Sequence, residues 1–435
     1  MSNNKQSAFD VAVVGGGPAG ISACLELSRS SELRIALFER ELELGGMPRS
    51  CHIYFGMRDL RRIYRGPTYA HKLDTLVRKT AVKIYTGATV LSISAGSNGE
   101  PHRIDVASPK GLESYDSRFV LLATGCFESS RGARMIPGER CSGIFTTGTL
   151  QQMVNLRHQI PGKQAIIIGS EIMALSCALT LKRAGMSIVG MIEEDLNLQT
   201  YSSGAKAMSI FYRFPIYKGV TVKSILGRER VEGVELLRKS DQKVFQLQCD
   251  TLLITGRFRP DSALIDNTPI ERDPLTFGPI VNMSLMTSVP SIFAAGNVLR
   301  GADMHDLCAL EGRKAAQEIL KSSQGFDSTG DESVGLRVEP PVRYIVPQSI
   351  APAKIKSHLF KWFLPRCSIQ AERTIERPII QAWSGGKVIW ERAFSKVIGN
   401  TRICLPIERF KWNQIDKKGG VILRLKEEKV HPIHG

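Results

Sequence analysis

No stretch of this sequence reaches the roughly 18 uninterrupted apolar residues that a membrane-spanning helix needs. Residues 165–192 come nearest, and Glu171, Lys182 and Arg183 interrupt them. The start, Met1 to Ala8, is polar, and glycines at once break the apolar run behind it, so no signal peptide is expected. Low-complexity tracts are missing, which removes disorder and fibrous repeats. Paired cysteine spacing is missing too. The nine cysteines lie far apart, which reads as reduced, buried thiols in a cytoplasmic protein and leaves no metal site in view. Paired carboxylates and nucleophile motifs do not stand out. Although the formal charge is +16, the Lys and Arg residues form no stripe interleaved with aromatics, so nucleic acid is not the expected partner.

What is present fits a soluble globular chain. Its 435 residues exceed what one core supports and point to roughly two to four domains. The densest basic group is Arg58, Arg61, Arg62 and Arg65, whose near-helical spacing would put several guanidinium groups on one face, toward solvent or toward an anionic partner.

From Phe9 to Val14 an apolar strand runs into Gly15-Gly16-Gly17-Pro18-Ala19-Gly20, and helix-like spacing follows through Ile21, Cys24, Leu25 and Leu27. A second strand, Arg34 to Phe38, ends at Glu39. This is a β-α-β unit with the dinucleotide fingerprint inside it. Gly15 permits the tight turn, Gly17 lets the backbone approach a pyrophosphate, and Gly20 lets the helix pack close on the sheet. The helix N-terminus presents free N–H groups to phosphate, and Glu39 falls where a carboxylate can accept both ribose hydroxyls.

The unit recurs. Gln164 to Ile168 lead to Gly169, the pattern Ala174, Leu175, Ala178, Leu179 suggests a helix, and Ser187 to Ile192 end at Glu193. Gly15 and Gly169, Gly20 and Ala174, and Glu39 and Glu193 are each 154 positions apart, the mark of an internal duplication. Where Gly17 should recur there is Glu171, whose side chain would stand in the pyrophosphate space and whose charge repels it. A second site built on Gly169, Ser170 and Glu193 therefore suits a mononucleotide, such as an adenine nucleotide, or a vestigial pocket better than a nicotinamide dinucleotide.

Between the units, Phe119 to Leu122 form a strand closed by Ala123-Thr124-Gly125, and Thr251 to Ile254 close with Thr255-Gly256. Ser291 to Gly296 make a last strand entering Asn297, and Leu307 to Gln317 follow in helical spacing. The expected architecture is α/β: two Rossmann-like dinucleotide-binding domains, the first (1–158 and 286–325) split by the second (159–285). Residues 326–335 read as a linker. Residues 336–435 read as a small β-rich domain, with runs such as Lys387 to Trp390 and Arg402 to Leu405 and turn signals at Gly385-Gly386 and Gly419-Gly420.

These motifs resemble the two-dinucleotide-fold flavoproteins of the pyridine nucleotide-disulfide oxidoreductase class over about residues 8–325. The runs Gly45 to His52, Phe55 to Arg58 and Gly66 to Ala70, with Ala295 to Leu299 and His305 to Leu307, look like the FAD subunits of heteromeric dehydrogenases such as hydrogen cyanide synthase, opine oxidase and dye-linked proline or hydroxyproline dehydrogenase. The resemblance implies FAD held by Gly15, Gly17, Pro18, Ala19, Gly20, Glu39, Arg40, Gly46, Met47, Arg49, Val90, Ala123, Thr124, Gly125, Gly296 and Asn297. Asn297 stands where that class usually has an Asp at the ribitol, and it can still hydrogen-bond there. The resemblance also implies a glycine-oxidase-like flavoprotein partner, on which substrate is oxidised, and a small iron-sulfur subunit. Only Cys367 and Cys404 lie beyond the linker, too few for a four-cysteine cluster, so any such centre belongs to a partner.

Candidates for chemistry are sparse. Cys51 has no neighbouring cysteine, which argues against the dithiol of disulfide reductases, and as a lone thiol it is more in keeping with an inert buried residue. His52 and His305 are placed to tune a flavin or relay a proton, or to hydrogen-bond structurally. The leading expectation is an electron-transferring FAD subunit, the substrate being a small amino acid, hydroxy acid or glycerol 3-phosphate-like molecule. The alternatives are a self-contained NAD(P)H-dependent flavin oxidoreductase and a non-catalytic nucleotide-binding scaffold. The hetero-oligomer expected of the first has an interface reaching beyond about residue 335 and an acidic partner surface facing Arg58 to Arg65.

Overall fold

A computed structural model describes residues 8–96, 99–200, 202–325, 333–355 and 367–427. The Phe9–Val14 strand is buried along nearly its whole length, as expected of an apolar run covered on both sheet faces. It pairs in parallel with Ile35–Glu39 on one side and with the long Gly111–Leu122 strand on the other. Lys83–Thr86 extends the parallel part, and Ile292–Ala294, arriving from far along the chain, pairs in parallel with Val120, Leu121 and Leu122. Two antiparallel strands, His102–Ser108 and Thr89–Ser94, complete a seven-stranded sheet.

The helix after the first strand, Pro18–Leu27, has Pro at its first turn and Gly17 as N-cap with no side-chain cap, which leaves its first N–H groups facing outward. Gly15 has φ +108, and a Cβ on Gly20 would lie 1.9 Å from the Gly15 carbonyl oxygen. Neither position admits a side chain, and this packs the helix against the strand. The His305–Ser323 helix crosses it, with Gly312 packed on the Ala19 carbonyl.

The second unit is a five-stranded parallel sheet, in order Ile144–Thr146, Thr251–Ile254, Gln164–Ile168, Ser187–Glu193 and Ile216–Lys218. The Ile172–Arg183 helix follows Gly169, whose φ of +111 repeats that of Gly15. A three-stranded antiparallel sheet over Val220–Gln248 sits beside it.

Beyond the residues assigned to the linker, of which 326–332 lie outside the described ones, the chain is β-rich. A five-stranded sheet, in order Ser349–Ile350, Val334–Val338, Val421–Glu427, Pro378–Ser384 and Lys387–Ala393, lies with a three-stranded sheet of Val342–Val346, Cys367–Ala371 and Arg402–Leu405. Val334 already belongs to a strand, inside the expected linker. Gly385 and Gly386, both at positive φ, form the tight turn between Pro378–Ser384 and Lys387–Ala393. This part is seated on both others, and its Tyr344 and Val346 pack in the core of the first unit. Gln348 exchanges two hydrogen bonds with the Val281 backbone and donates to Asp273, while Thr374 and Asn400 bond the Leu198-Gln199 segment.

One expectation is corrected here. Arg58, Arg61, Arg62 and Arg65 do not share a helix. They occupy a turn and a short hairpin of Tyr54–Phe55 with Tyr64–Arg65, Arg61 takes φ +55, and Arg58 turns inward to the buried Asp306 at 3.1 Å.

Candidate functional site

A cavity of about 350 Å³ opens along the C-terminal edge of the first sheet, where open α/β sheets place their ligands. Glu39 stands at one end. One of its carboxylate oxygens accepts the Gly16 N–H at 2.6 Å and the other the Glu41 N–H at 2.8 Å, which fixes the carboxylate for a ligand's hydroxyls. The floor is Gly15 to Ala19 with Gly46, and Ala123-Thr124-Gly125 crosses nearby. A Cβ on Gly17 or Gly125 would meet nothing within 4 Å: the space above each is open, and the uncapped helix N-terminus points into it. The far end is formed by Asn297, His305, Cys126 and Cys308.

The duplicated unit repeats the placement of the acid, with a side-chain hydroxyl in place of one backbone donor, and departs at one further point. Ser170 takes the place of Gly16 and donates its hydroxyl to Glu193, whose other oxygen accepts the Asp195 N–H at 3.0 Å as Glu39 does with Glu41. Burial is the main cause that pushes the Glu193 carboxyl up to about 7. In place of the open space at Gly17 stands the partly buried Glu171. Its Oε2 accepts from the Thr255 hydroxyl at 2.8 Å, and its carboxylate lies over Gly256. Burial raises its pKa, opposed by the Thr255 hydrogen bond and by Arg134 and Arg257. A larger cavity, about 550 Å³, lies in front, lined by Arg134, Arg257, Arg259 and Arg343 as well as by Glu171 and Glu193.

Residues 9–318 match the family model described as pyridine nucleotide-disulphide oxidoreductase. The chain belongs to that family. It is 26% identical over 359 residues to the glutamate synthase [NADPH] small chain of Escherichia coli (strain K12), covering 74% of this chain and 70% of the relative. Among solved structures it resembles thioredoxin reductase of T. acidophilum, with TM-score 0.62 and 20% identity over 73% of this chain and 99% of that one. It also resembles L-proline dehydrogenase from P. horikoshii, with TM-score 0.56 and 24% identity over 73% of this chain and 56% of that one. At these identities the structural likenesses establish the fold. Membership makes the protein an FAD-dependent oxidoreductase, and the first cavity fits FAD: an acid for ribose, an open glycine cradle at a helix N-terminus for pyrophosphate, and a closed end of neutral groups for the ring system. Bound there, FAD supplies the two-electron chemistry.

Of the residues expected to hold it, Gly15, Gly17, Pro18, Ala19, Glu39, Arg40, Gly46, Met47, Arg49, Ala123, Thr124, Gly125 and Asn297 line this cavity. Gly20 lies behind it, packed on Gly15, and Gly296 packs on Ala19. Val90 is in the core beneath the sheet. Asn297 Oδ1 accepts from the Asp303 N–H at 2.9 Å and from the Cys308 thiol at 3.0 Å.

His305 lines the cavity against Phe55, ring centroids 4.7 Å apart, and burial drives its pKa down to about 4, so the imidazole is neutral at physiological pH. His52 lies outside the cavity, its pKa lowered by burial and then by Arg183 and Arg65. Cys51 is also outside, buried against Ser176 of the second unit at 3.5 Å, with its thiol pushed up by burial. The thiols that do face the cavity are Cys126, pushed up to about 12 chiefly by burial, and Cys308, raised well above its ordinary value by burial. Both stay protonated and are poor nucleophiles. Sequence reasoning passed over them, although Cys308 follows His305 by one helical turn and so shares its face. It also passed over Gln152, Leu156 and Arg157, which reach the cavity from the Thr147–Asn155 helix and the turn after it.

Among the described residues no helix is long and apolar enough to cross a membrane, and no group of three or more acidic, His or Cys side chains is placed to hold a metal.

Proposed function

We propose that this chain is the FAD-carrying, electron-transferring subunit of a heteromeric dehydrogenase. A small amino acid or hydroxy acid, or a glycerol 3-phosphate-like molecule, is oxidised on a glycine-oxidase-like flavoprotein partner, and any iron-sulfur cluster resides in another subunit. The single observation that carries this reading is Glu171. A nicotinamide dinucleotide needs the space over the first turn of the second helix for its pyrophosphate, and there the partly buried Glu171 carboxylate stands, held by Thr255 and lying over Gly256. With that entrance filled, electrons reach the flavin from a partner. The E. coli relative is named for NADPH, and it is at this residue that we expect the present chain to depart from such use.

The second cavity keeps a ribose-binding carboxylate, Glu193, and gains Arg134, Arg257, Arg259 and Arg343. This supports an adenine nucleotide bound without turnover, its phosphates meeting arginines rather than the helix turn.

For docking, the Tyr54–Arg65 hairpin carries exposed Tyr54, Met57 and Ile63 beside exposed Arg61 and Arg62. It leads through Phe55 to His305 at the flavin cavity. An apolar centre with a cationic rim suits an acidic partner surface, and the interface extends to residues beyond about 335. Co-expression with a neighbouring glycine-oxidase-like flavoprotein, followed by size exclusion at low and high salt, tests this. A stable complex whose flavin is bleached by substrate supports it, and a chain that elutes alone and oxidises substrate unaided refutes it.

A further inference from the structure

The last described part, read from the sequence as a small β-rich domain, reaches into the first unit through Arg402. On the Arg402–Leu405 strand this side chain is only 10% exposed and bonds two buried carboxylates at once, Asp303 at 2.8 Å and Glu311 at 3.0 Å. Arg300, 1% exposed, bonds the same two at 3.0 and 2.6 Å. The four charges balance. Each acid also holds the flavin-cavity segment: Glu311 Oε2 accepts the Gly296 N–H at 3.1 Å, and the Asp303 N–H donates to Asn297 Oδ1 at 2.9 Å. Ala295 and Asn297 line the cavity itself.

We infer that Arg402 is a positioning residue for the flavin: through Asp303 and Glu311 it fixes the Ala295–Asn297 segment, and it cancels a negative charge that would otherwise lie beside the isoalloxazine end of the cavity. The β-rich part is thus a component of the flavin site. The physical case rests on desolvation. Two buried carboxylates stay ionised only if paired with two cations, because an uncompensated buried charge is strongly destabilising. Burial pushes the Asp303 carboxyl up, and Arg402 and then Arg300 more than reverse this and hold it below the ordinary range. Without Arg402 the cluster carries one net negative charge, which either repels electron density on the reduced flavin or is relieved by movement of the segment.

The test uses the full chain stripped of FAD and reconstituted. Arg402→Met is expected to raise the Kd for FAD about tenfold or more and to move the flavin midpoint potential to more negative values. Arg402→Lys keeps the charge but offers one ammonium nitrogen on a shorter side chain in place of the two guanidinium nitrogens that reach Asp303 and Glu311 separately, so it should hold the potential at the wild-type value with a smaller rise in Kd. Arg424→Met, which breaks the half-exposed pair with Glu339 in the same part of the chain, should change neither. The proposal is overturned if Arg402→Met keeps wild-type Kd and potential while only the melting temperature falls. Should Arg402→Met fail to fold, Arg402→Lys decides alone: a Kd raised severalfold sustains the proposal, and a wild-type Kd overturns it.

Discussion

Glu171 lies against Gly256 so closely that a Cβ on Gly256 would come within 2.0 Å of its Oε1. Its counterpart in the duplicated first unit, Gly17, faces open space. One position, read in both copies of the same fold, separates a cradle that receives a pyrophosphate from one filled by the chain itself. The opposed predictions for the two units follow from this contrast.

Gly17→Leu is expected to leave the fold intact and the protein colourless. The backbone there, φ −82 and ψ −174, suits any residue, and the added side chain points into the cavity. FAD affinity should fall by at least about a hundredfold while the melting temperature of the FAD-free protein moves by only a few degrees, roughly. Gly20→Val should instead unfold the chain, since its Cβ would overlap the Gly15 carbonyl. Absorbance near the flavin bands and a thermal melt distinguish the two. Full flavin occupancy in Gly17→Leu would show that the fingerprint is misassigned.

Stability should depend on pH through Glu193. Its carboxyl is pushed up from 4.5 to about 7 in the folded chain, so between those values the folded form binds more protons than the unfolded form. Stability then falls as pH rises through this window, by on the order of 3 kcal/mol in all. Glu193→Gln should flatten that part of the profile. Urea midpoints at about pH 5 and about pH 8 measure it, and an equal loss in both proteins would remove Glu193 as the cause.

Charge reversal at the hairpin, Arg61→Glu with Arg62→Glu, should weaken the proposed complex by about tenfold or more at low salt, mostly through slower association, with less effect at high salt. Flavin content should be unchanged, because neither side chain lines the cavity. Association rates against ionic strength provide the reading, and identical rates for variant and wild type would place the docking surface elsewhere.

Local pattern made the two dinucleotide units legible. Strand, glycine turn, helix and terminal acid are contiguous, so Gly15, Gly17 and Glu39 could be placed from spacing, and the 154-residue offset carried them to Gly169, Glu171 and Glu193. The β-rich end was legible only as strands. Its pairing of Val334–Val338 with Val421–Glu427 and its clasp on Asp303 and Glu311 through Arg402 are contacts across long sequence separations, which period and turn chemistry do not encode. Gln152 and Arg157 reach the flavin cavity for the same reason, from a segment without a motif of its own, whereas Cys126 directly follows the Ala123-Thr124-Gly125 turn and was passed over. The Arg58 to Arg65 group misled because its spacing suited a helix, while Gly56 at φ +99 and the buried Asp306 turned it into a loop.

Electron entry is the centre of the account, and one anaerobic experiment addresses it. The reconstituted chain is mixed in a stopped-flow cell with NADH, with NADPH, or with its partner flavoprotein plus that partner's substrate, and flavin absorbance is followed. The account predicts negligible bleaching by either nicotinamide at micromolar concentration and full bleaching through the partner. Rapid, saturable bleaching of the isolated chain by micromolar NADH or NADPH would contradict it, and would mean that the Glu171 carboxylate yields its place to a pyrophosphate.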